Sequence, residues 1–173
     1  EPENTLLIVL GNTAVLNQLP GGGLAEFLDN GGALLLATDR ATAGFWENVL
    51  GLRVSGQFVR AARRDEQSYW QRTFCPLVTR DRRQDSPVFE GVGTLATNRP
   101  SYLEFAGPSP LRRWAVFAAG CTTEADFMRP LDPDRQFFAA GGAVRGGRVL
   151  VLADHSVFIN DMLLRESNDN IRF

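Results

Sequence analysis

The chain has no lysine, a single histidine (His155) and only two cysteines (Cys75 and Cys121). Without lysine there is no Gly-Lys phosphate loop, so an ATP-hydrolysing P-loop domain is not expected. Without a C-x-x-C pair or a Cys/His cluster, a structural zinc site is excluded as well. Any histidine-dependent hydrolase mechanism would have to use His155.

Long apolar runs and a strong net charge are also missing. No run approaches the roughly 18 apolar residues of a membrane helix, so the residues given are expected to be soluble. All 18 basic residues are arginine and face 20 acidic residues, for a formal charge of -2, which does not favour bulk binding to nucleic acid. With 173 residues, 44% of them hydrophobic, we expect one domain, residues 1–173, with a core that needs neither disulfide nor metal.

Short apolar runs, by contrast, are clear. Residues 5–10 (TLLIVL) and 33–37 (ALLLA) have the composition of strands covered on both faces, as in parallel sheets. Between them Leu24, Phe27 and Leu28 share one helical face, and Gly31-Gly32 ends the helix. This spacing predicts a right-handed βαβ unit with parallel neighbouring strands.

The rest of the chain has more mixed signals. Residues 137–143 and 148–153 flank an Arg-Gly-Gly turn and predict a hairpin, and residues 42–50 and 157–164 have helical patterns. Residues 53–83 contain short alternating stretches typical of edge strands, and residues 113–119 read as a strand. We therefore predict an α/β fold with a mostly parallel sheet flanked by helices and an antiparallel extension in the middle section.

Polar side chains follow three of the predicted strands. In open parallel sheets ligands bind at the carboxyl ends of strands, where loops and helix N-termini converge. The plainer explanation is that such residues cap the following helices. The candidates for a ligand or partner site are Asn12, Thr13, Asp39, Arg40, Asp154, His155, Ser156 and Asn160.

An enzymatic alternative uses the same edge of the sheet. Asp39 could orient His155 as a base, with Ser156 as the nucleophile, but no G-x-S-x-G elbow is present. Free cysteines in such contexts usually are small buried residues, so no catalytic residue is assigned. Oxygen ligands such as Asp154, Asp161 and Asp169 match no cation loop, so neither a metal nor a cofactor is predicted.

A basic segment supplies a second candidate surface. Residues 53–83 contain eight arginines against three acidic residues, a local excess of +5. Arginine beside exposed aromatic residues is the composition of protein interfaces and of anion-binding patches, although a solvated face has the same composition. The partner-surface candidates are Arg60, Arg63, Arg64, Tyr69 and Trp70.

Parts of the chain resemble a known superfamily. The strand, the short helix ending in Gly31-Gly32 and the next strand resemble class I glutamine amidotransferase-like domains. Residues 86–92 (SPVFEGV) are similar to a segment that precedes a later strand in such domains, with Ser86 in place of the usual histidine. The closing segment, residues 146–173, is similar to the end of the membrane-anchored GldG-like branch, which is often encoded beside AAA ATPases; the matching residues are Asp154, Ser156, Phe158, Asn160, Asp169 and Asn170.

This resemblance implies a flavodoxin-like domain without the family's chemistry, because the cysteine elbow and the H-x-E pair are missing. It implies a non-catalytic domain that binds a ligand or a protein partner in a membrane-associated complex. The domain would be anchored through helices outside these residues and would lie on the extracytoplasmic side. The chain would start at an interior strand of the family fold, which leaves an open sheet edge. Homo-oligomerisation, the identity of a small-molecule ligand and the state of the two cysteines stay open.

Overall fold

The structure is a computed structural model that describes residues 2–19, 21–41, 45–64, 67–163 and 168–173, without the side chains of Phe45, Asn160 and Asp161. Three short helices are present in these ranges, α1 (Gly23–Asp29), α2 (Phe45–Leu50) and α3 (Asn160–Leu163). The strands are β1 (Leu6–Leu10), β2 (Ala33–Ala37), β3 (Leu52–Val54), β4 (Val59–Arg60), β5 (Leu77–Arg80), β6 (Thr94–Ala96), β7 (Leu103–Phe105), β8 (Arg112–Phe117), β9 (Thr122–Thr123), β10 (Ala139–Val144) and β11 (Gly147–Leu152).

Seven of these strands form one mixed sheet in the order β1-β2-β11-β10-β8-β5-β6. The pairs β1·β2 and β2·β11 are parallel, and the pairs from β11 to β6 are antiparallel. The sheet curls into a half-barrel. Two small two-stranded sheets, β3·β7 and β4·β9, lie outside it.

The local elements near the start and the end of the chain are confirmed. Strand β2 has the predicted bounds, and β1 pairs with it in parallel from Leu6↔Ala33 to Leu10↔Ala37, with α1 between them. The predicted hairpin is β10·β11. The predicted final helix begins with a 3-10 turn at Ser156–Phe158 and continues as α3, while its predicted last residue, Leu164, lies outside the described residues.

The predicted fold class is wrong. A flavodoxin-like α/β fold needs a mostly parallel sheet with helices on both faces, whereas this protein is mostly β with a curled mixed sheet and few helices. Residues 53–83 were expected to form exposed or edge strands, but β5 lies in the main sheet between β6 and β8, and β8 pairs with β10. Strand pairing between distant segments is not encoded in the local patterns that the prediction used.

Strand β1 is an edge strand that is covered on one face only. Leu6, Ile8 and Leu10 are 57%, 54% and 48% exposed, whereas Val9 is 3% exposed. The predicted burial of residues 5–10 on both faces is therefore wrong. The carbonyl oxygen of Thr5 and the backbone N–H of Gly11 form hydrogen bonds with β2. Because successive residues of a strand direct their backbone groups to alternate sides, those of Leu6 and Ile8 point away from the sheet.

The main core lies on the other face of the sheet. There Leu24 and Leu28 of α1 and Trp46 and Leu50 of α2 are buried in the same cluster as Leu36 of β2. The antiparallel half of the sheet contributes aromatic side chains, among them Phe117, Phe137 and Phe138. Among the described residues no helix has both the length and the apolar character that a membrane crossing needs.

Candidate functional site

Three strand ends meet at one edge of the sheet, as expected from the sequence. The parallel register aligns Leu10 of β1 with Ala37 of β2, and Ala37 with Leu152 of β11. The residues that follow these strands therefore lie side by side. We call the group formed by Asp39, Asp154 and His155 the strand-end cluster; one ligand atom from each lies within 4.8 Å of the others.

Asp39 and His155 face each other in this cluster. The distance from His155 Nδ1 to Asp39 Oδ1 is 3.5 Å, and the side chains are 37% and 18% exposed. These two atoms are shielded from solvent, and neither makes a hydrogen bond within the described part of the chain. The imidazole ring lies over Gly11, where an added Cβ would be 3.7 Å from the ring. The ring is thus positioned by packing, while its Nδ1 is turned to a carboxylate.

Asp154 is the buried member of the cluster. Its Oδ2 accepts the backbone N–H of Asn98 at 2.8 Å, and its Oδ1 accepts the backbone N–H of Ser156 at 2.8 Å and is in contact with the Ser156 hydroxyl. Burial raises the pKa of this carboxyl from 3.8 to about 6, against the opposing effect of these hydrogen bonds. Asp154 therefore ties the end of β11 to the loop after β6.

The Ser156 hydroxyl belongs to the same network. It is buried, lies against Asp154 and is within hydrogen-bonding distance, 3.1 Å, of the carbonyl oxygen of Asn98. Within the described residues it makes no hydrogen bond to His155. Both cysteines are free and buried, and burial raises the pKa of the Cys75 and Cys121 thiols to about 11.

The remaining strand-end candidates lie at the rim. Asn12 accepts the backbone N–H of Ala14 and caps the 3-10 helix Thr13–Gln18, so the capping explanation holds for it. Thr13 is half-buried and Arg40 is exposed. Asn160 is the first residue of α3, but its side chain lies outside the described atoms.

Two residues of this edge were missed by the sequence reasoning. Thr38 is fully buried; its hydroxyl donates to the carbonyl oxygen of Gly11 at 2.7 Å and accepts the backbone N–H of Arg40 at 3.2 Å. Its position directly after β2 was a signal that could have identified it. Asn98 gave no local signal, because its contact with Asp154 joins positions 56 residues apart.

A second feature is a surface on which guanidinium groups lie over aromatic rings. The guanidinium of Arg99 lies 4.5 Å from the ring centre of Phe58, and that of Arg60 lies 5.7 Å from the ring centre of Phe127. Arg99 also pairs with Glu124 at 3.3 Å, and the backbone N–H of Glu124 donates to the carbonyl oxygen of Phe58. Arg99, Phe58 and Glu124 therefore form one connected group. Arg60 reaches the segment next to Phe74, since its Nη2 donates to the Thr73 hydroxyl at 2.9 Å.

The group continues around Arg72, whose guanidinium lies 5.4 Å from the ring centre of Trp70 and 5.8 Å from that of Phe74. Phe74 is joined to the first group because its carbonyl oxygen accepts the backbone N–H of Arg99. We call the whole set the basic-aromatic surface; its members are Phe58, Arg60, Trp70, Arg72, Phe74, Arg99 and Phe127.

Only some of the predicted partner-surface residues belong to the basic-aromatic surface. Arg60 and Trp70 belong to the basic-aromatic surface, and Trp70 is 43% exposed. Arg63 and Arg64 are exposed on the same segment. Tyr69 is 4% exposed and stacks on Trp70 at 4.7 Å between ring centres. It is therefore a buried residue that packs against Trp70, and it is not part of the exposed surface.

A cleft of about 650 Å³ lies beside β3 and β7 and was not anticipated from the sequence. Acidic and basic side chains both line it, so the cleft does not favour a ligand of one charge. Its charged lining residues are Arg53, Glu104, Asp126, Arg129, Asp132, Asp134 and Arg135. Arg53 and Glu104 form an ion pair at 2.6 Å there, so part of this charge is already compensated.

The fold of this chain is shared with a solved structure. The structure described as "mmIFT52 N-terminal domain" is similar with a TM-score of 0.66 at 17% identity, over 97% of this chain and 73% of that chain. A beta-galactosidase from Bacillus circulans sp. alkalophilus is matched with a TM-score of 0.46 at 12% identity, over 86% of this chain and 20% of that chain. Comparison with curated proteins gives no match.

The resemblance to class I glutamine amidotransferase-like domains of the GldG-like branch is corrected by these findings. The mostly β half-barrel is not the flavodoxin-like amidotransferase fold, and the sequence matches a different family over nearly its whole length. That family is described as a domain of unknown function, DUF4350, and its match covers residues 1–171. The chain therefore belongs to the DUF4350 family.

Proposed function

We propose that this domain is a non-catalytic binding module that docks a protein partner of a membrane-associated complex through the basic-aromatic surface. The observation that carries the proposal is the connected set of cation–π pairs around Arg60, Arg72 and Arg99. The loop that carries Arg99 also contacts the strand-end cluster, because Asn98 precedes Arg99 and donates its backbone N–H to Asp154.

The chemistry of this surface suits protein recognition. Arginine and aromatic residues are enriched at the energetic centres of interfaces. A guanidinium held over a ring has lost part of its rotational freedom before binding, so less entropy is lost when a partner docks. Apolar side chains extend the surface into solvent, since Phe127 is 59% and Met128 91% exposed. A partner with carboxylates next to apolar side chains matches this pattern.

The non-catalytic part of the proposal is supported by the state of the nucleophiles. The Ser156 hydroxyl lies in a buried network with Asp154 and Asn98, and both thiols are buried with raised pKa values. The alternative, a hydrolase that uses His155 with Asp39 and Ser156, needs a nucleophile beside His155. The described residues offer none that is free of other contacts.

A comparison of binding partners tests the proposal. Full-length protein carrying Arg60→Glu and Arg72→Glu would be purified from native membranes next to wild type and next to Arg148→Glu, whose exposed side chain lies on β11. We expect quantitative mass spectrometry to show a partner that is retained by wild type and Arg148→Glu and lost from the double variant. Equal retention by all three proteins, at unchanged melting temperatures, would rule out this surface.

The position of the domain is part of the same proposal. We propose that membrane helices outside residues 1–173 anchor it and that it lies on the extracytoplasmic side. Protease treatment of intact spheroplasts tests this, since an extracytoplasmic domain is digested without lysis. A domain that is cut only after the membrane is opened lies on the other side. This result does not affect the binding surface, so the two parts of the proposal fail independently.

A further inference from the structure

The strand-end cluster has the composition of a metal site. It presents one imidazole nitrogen and two carboxylates from the ends of β2 and β11, with ligand atoms no more than 4.8 Å apart. The register Ala37↔Leu152 between these strands holds Asp39 next to Asp154 and His155. Two rigid neighbouring strands therefore position all three side chains.

Two of the ligand atoms lack the partners that buried polar atoms require. His155 Nδ1 and Asp39 Oδ1 are shielded from water and make no hydrogen bond within the described ranges, although they lie 3.5 Å apart. The two atoms are close enough for an ion pair, but their orientation does not form a hydrogen bond. Two ligands bound to a tetrahedral ion at about 2.0–2.1 Å are roughly 3.4 Å apart, which matches this separation.

The charges around the cluster also favour a cation. Asp154 is fully buried next to the carboxyl group of Asp39, and a cation bound between the two groups would reduce the electrostatic cost of holding them close together. Asp154 is oriented by the backbone N–H groups of Asn98 and Ser156, as second-shell donors orient metal-binding carboxylates. Asp154 Oδ2 accepts one N–H, that of Asn98, within the described part of the chain, so a lone pair of this oxygen remains available for an ion.

We propose that Asp39, Asp154 and His155 bind a divalent transition metal of the Zn²⁺ class and leave its fourth position open. The proposal goes beyond the partner-binding function and does not depend on it. An imidazole ligand disfavours Mg²⁺ and Ca²⁺, which prefer oxygen ligands. A separation of up to 4.8 Å is wider than the roughly 3.4 Å between two ligands of one Zn²⁺ ion, so binding draws the ligand atoms together by up to about 1.4 Å. The ion would join the ends of β2 and β11.

The single histidine makes a direct experiment feasible. Protein without a histidine tag would be titrated with ZnCl₂ while long-range ¹H–¹⁵N NMR follows the two ring nitrogens of His155, the one histidine of the chain. We expect one equivalent of Zn²⁺ to shift the Nδ1 resonance, and an equal concentration of MgCl₂ to leave it unchanged. A spectrum that does not respond to Zn²⁺ would overturn the proposal.

Variants separate this site from adventitious binding. Asp39→Asn and His155→Gln are expected to weaken Zn²⁺ binding, measured by calorimetry, by more than about tenfold. Asp85→Asn is the charge-matched control, since the Asp85 side chain is 93% exposed and far from the strand ends in sequence. Wild-type affinity in both site variants would assign the Zn²⁺ to another place and overturn the proposal. Melting temperatures of the metal-free variants verify that they are folded.

Discussion

The Asp154 carboxylate accepts the backbone N–H of Asn98 at 2.8 Å and so joins two segments that are 56 residues apart in the chain. The same carboxylate accepts the backbone N–H of Ser156, two residues further on. The end of β11 and the loop after β6 are thus held by a single buried side chain. Their relative position in turn places His155 and Arg99, one on the strand-end cluster and one on the basic-aromatic surface.

Replacing Asp154 by alanine is expected to destabilise the domain. The backbone N–H groups of Asn98 and Ser156 would lose their acceptor, and each such buried donor costs about 1–3 kcal/mol. Urea unfolding should therefore show a clear loss in the free energy of unfolding. Asp85→Ala, at an exposed aspartate, is the control and should change it by less than about 0.5 kcal/mol. Equal stabilities of the two variants would contradict the role of Asp154.

Asp169 is expected to make stability depend on pH in the acidic range. Its Oδ2 accepts the backbone N–H groups of Gly93 and Thr94, and the bond from Thr94 is the main reason that the pKa of this carboxyl lies below its usual 3.8. A lowered pKa stabilises the folded state above the unfolded pKa, and this contribution is lost as the pH falls through the folded pKa. Asp169→Asn should therefore be less stable than wild type at pH 7.

The stability difference between wild type and Asp169→Asn should begin to shrink as the pH falls below about 4, where the unfolded chain takes up the proton, and should keep shrinking until the pH is below the lowered pKa of the folded state. Thermal unfolding of both proteins between pH 3 and pH 7 measures this directly. A gap of constant size over that range would mean that the charge of Asp169 does not contribute, and that only the shape of its side chain matters.

Because one face of β1 is exposed, shortening a side chain on that face should lower the free energy of unfolding less than shortening a buried side chain of β2. Ile8 is 54% exposed, so Ile8→Ala should cost about 1 kcal/mol or less. Leu36 in the neighbouring strand β2 is fully buried, and Leu36→Ala should cost about 2–5 kcal/mol because a cavity is left behind. Chemical unfolding of the two variants tests this. A cost at Ile8 as large as that at Leu36 would indicate that the face is covered in solution.

Gly141 is expected to tolerate no side chain. A Cβ at this position would lie 2.1 Å from the ring of Trp114, which packs directly on the backbone of β10. Gly141→Ala should therefore displace the indole and cost about 1–3 kcal/mol. Gly107→Ala is the matched control, since nothing lies within 4 Å of its Cβ position. Thermal melting should separate the two variants, and a wild-type Tm for Gly141→Ala would contradict this packing.

The two thiols are expected to be unreactive in the folded protein. Cys75 and Cys121 are 2% and 1% exposed, and burial raises the pKa of each thiol to about 11. Because the thiolate is the reactive form, a thiol reagent at pH 8 should modify neither residue until denaturant is added. Rapid modification of the native protein would show that one of these sites opens.

Several features of the molecule followed from local patterns in the sequence. The run of residues 33–37 has the composition of a strand and forms β2 with the same bounds. Parallel strands end at the same edge, so the juxtaposition of Asp39 with His155 was predictable without knowledge of the rest of the fold. The excess of arginine in residues 53–83 indicated a basic surface, and Arg60 and Trp70 belong to it.

Other features depend on contacts that no local pattern contains. Residues 5–10 and 33–37 have similar composition, yet β1 is an edge strand and β2 lies between two neighbours. The contacts of Asp154 with Asn98 and of Asp169 with Gly93 join distant segments and gave no signal in sequence. Tyr69 and Trp70 are adjacent aromatic residues, but only the second is exposed.

Amino-acid sequence by itself determined where the elements near the two ends of the chain form, among them β1, α1, β2, β10 and β11, because hydrophobic periodicity and glycine act over a few residues. Only the tertiary structure decided which strands pair, and hence that β5, β6, β8 and β10 extend the parallel strands into one mixed sheet. Pairing depends on how side chains from distant segments pack and on which backbone groups find partners. For the same reason the class of the fold, and with it the open face of β1, was decided by the assembled sheet.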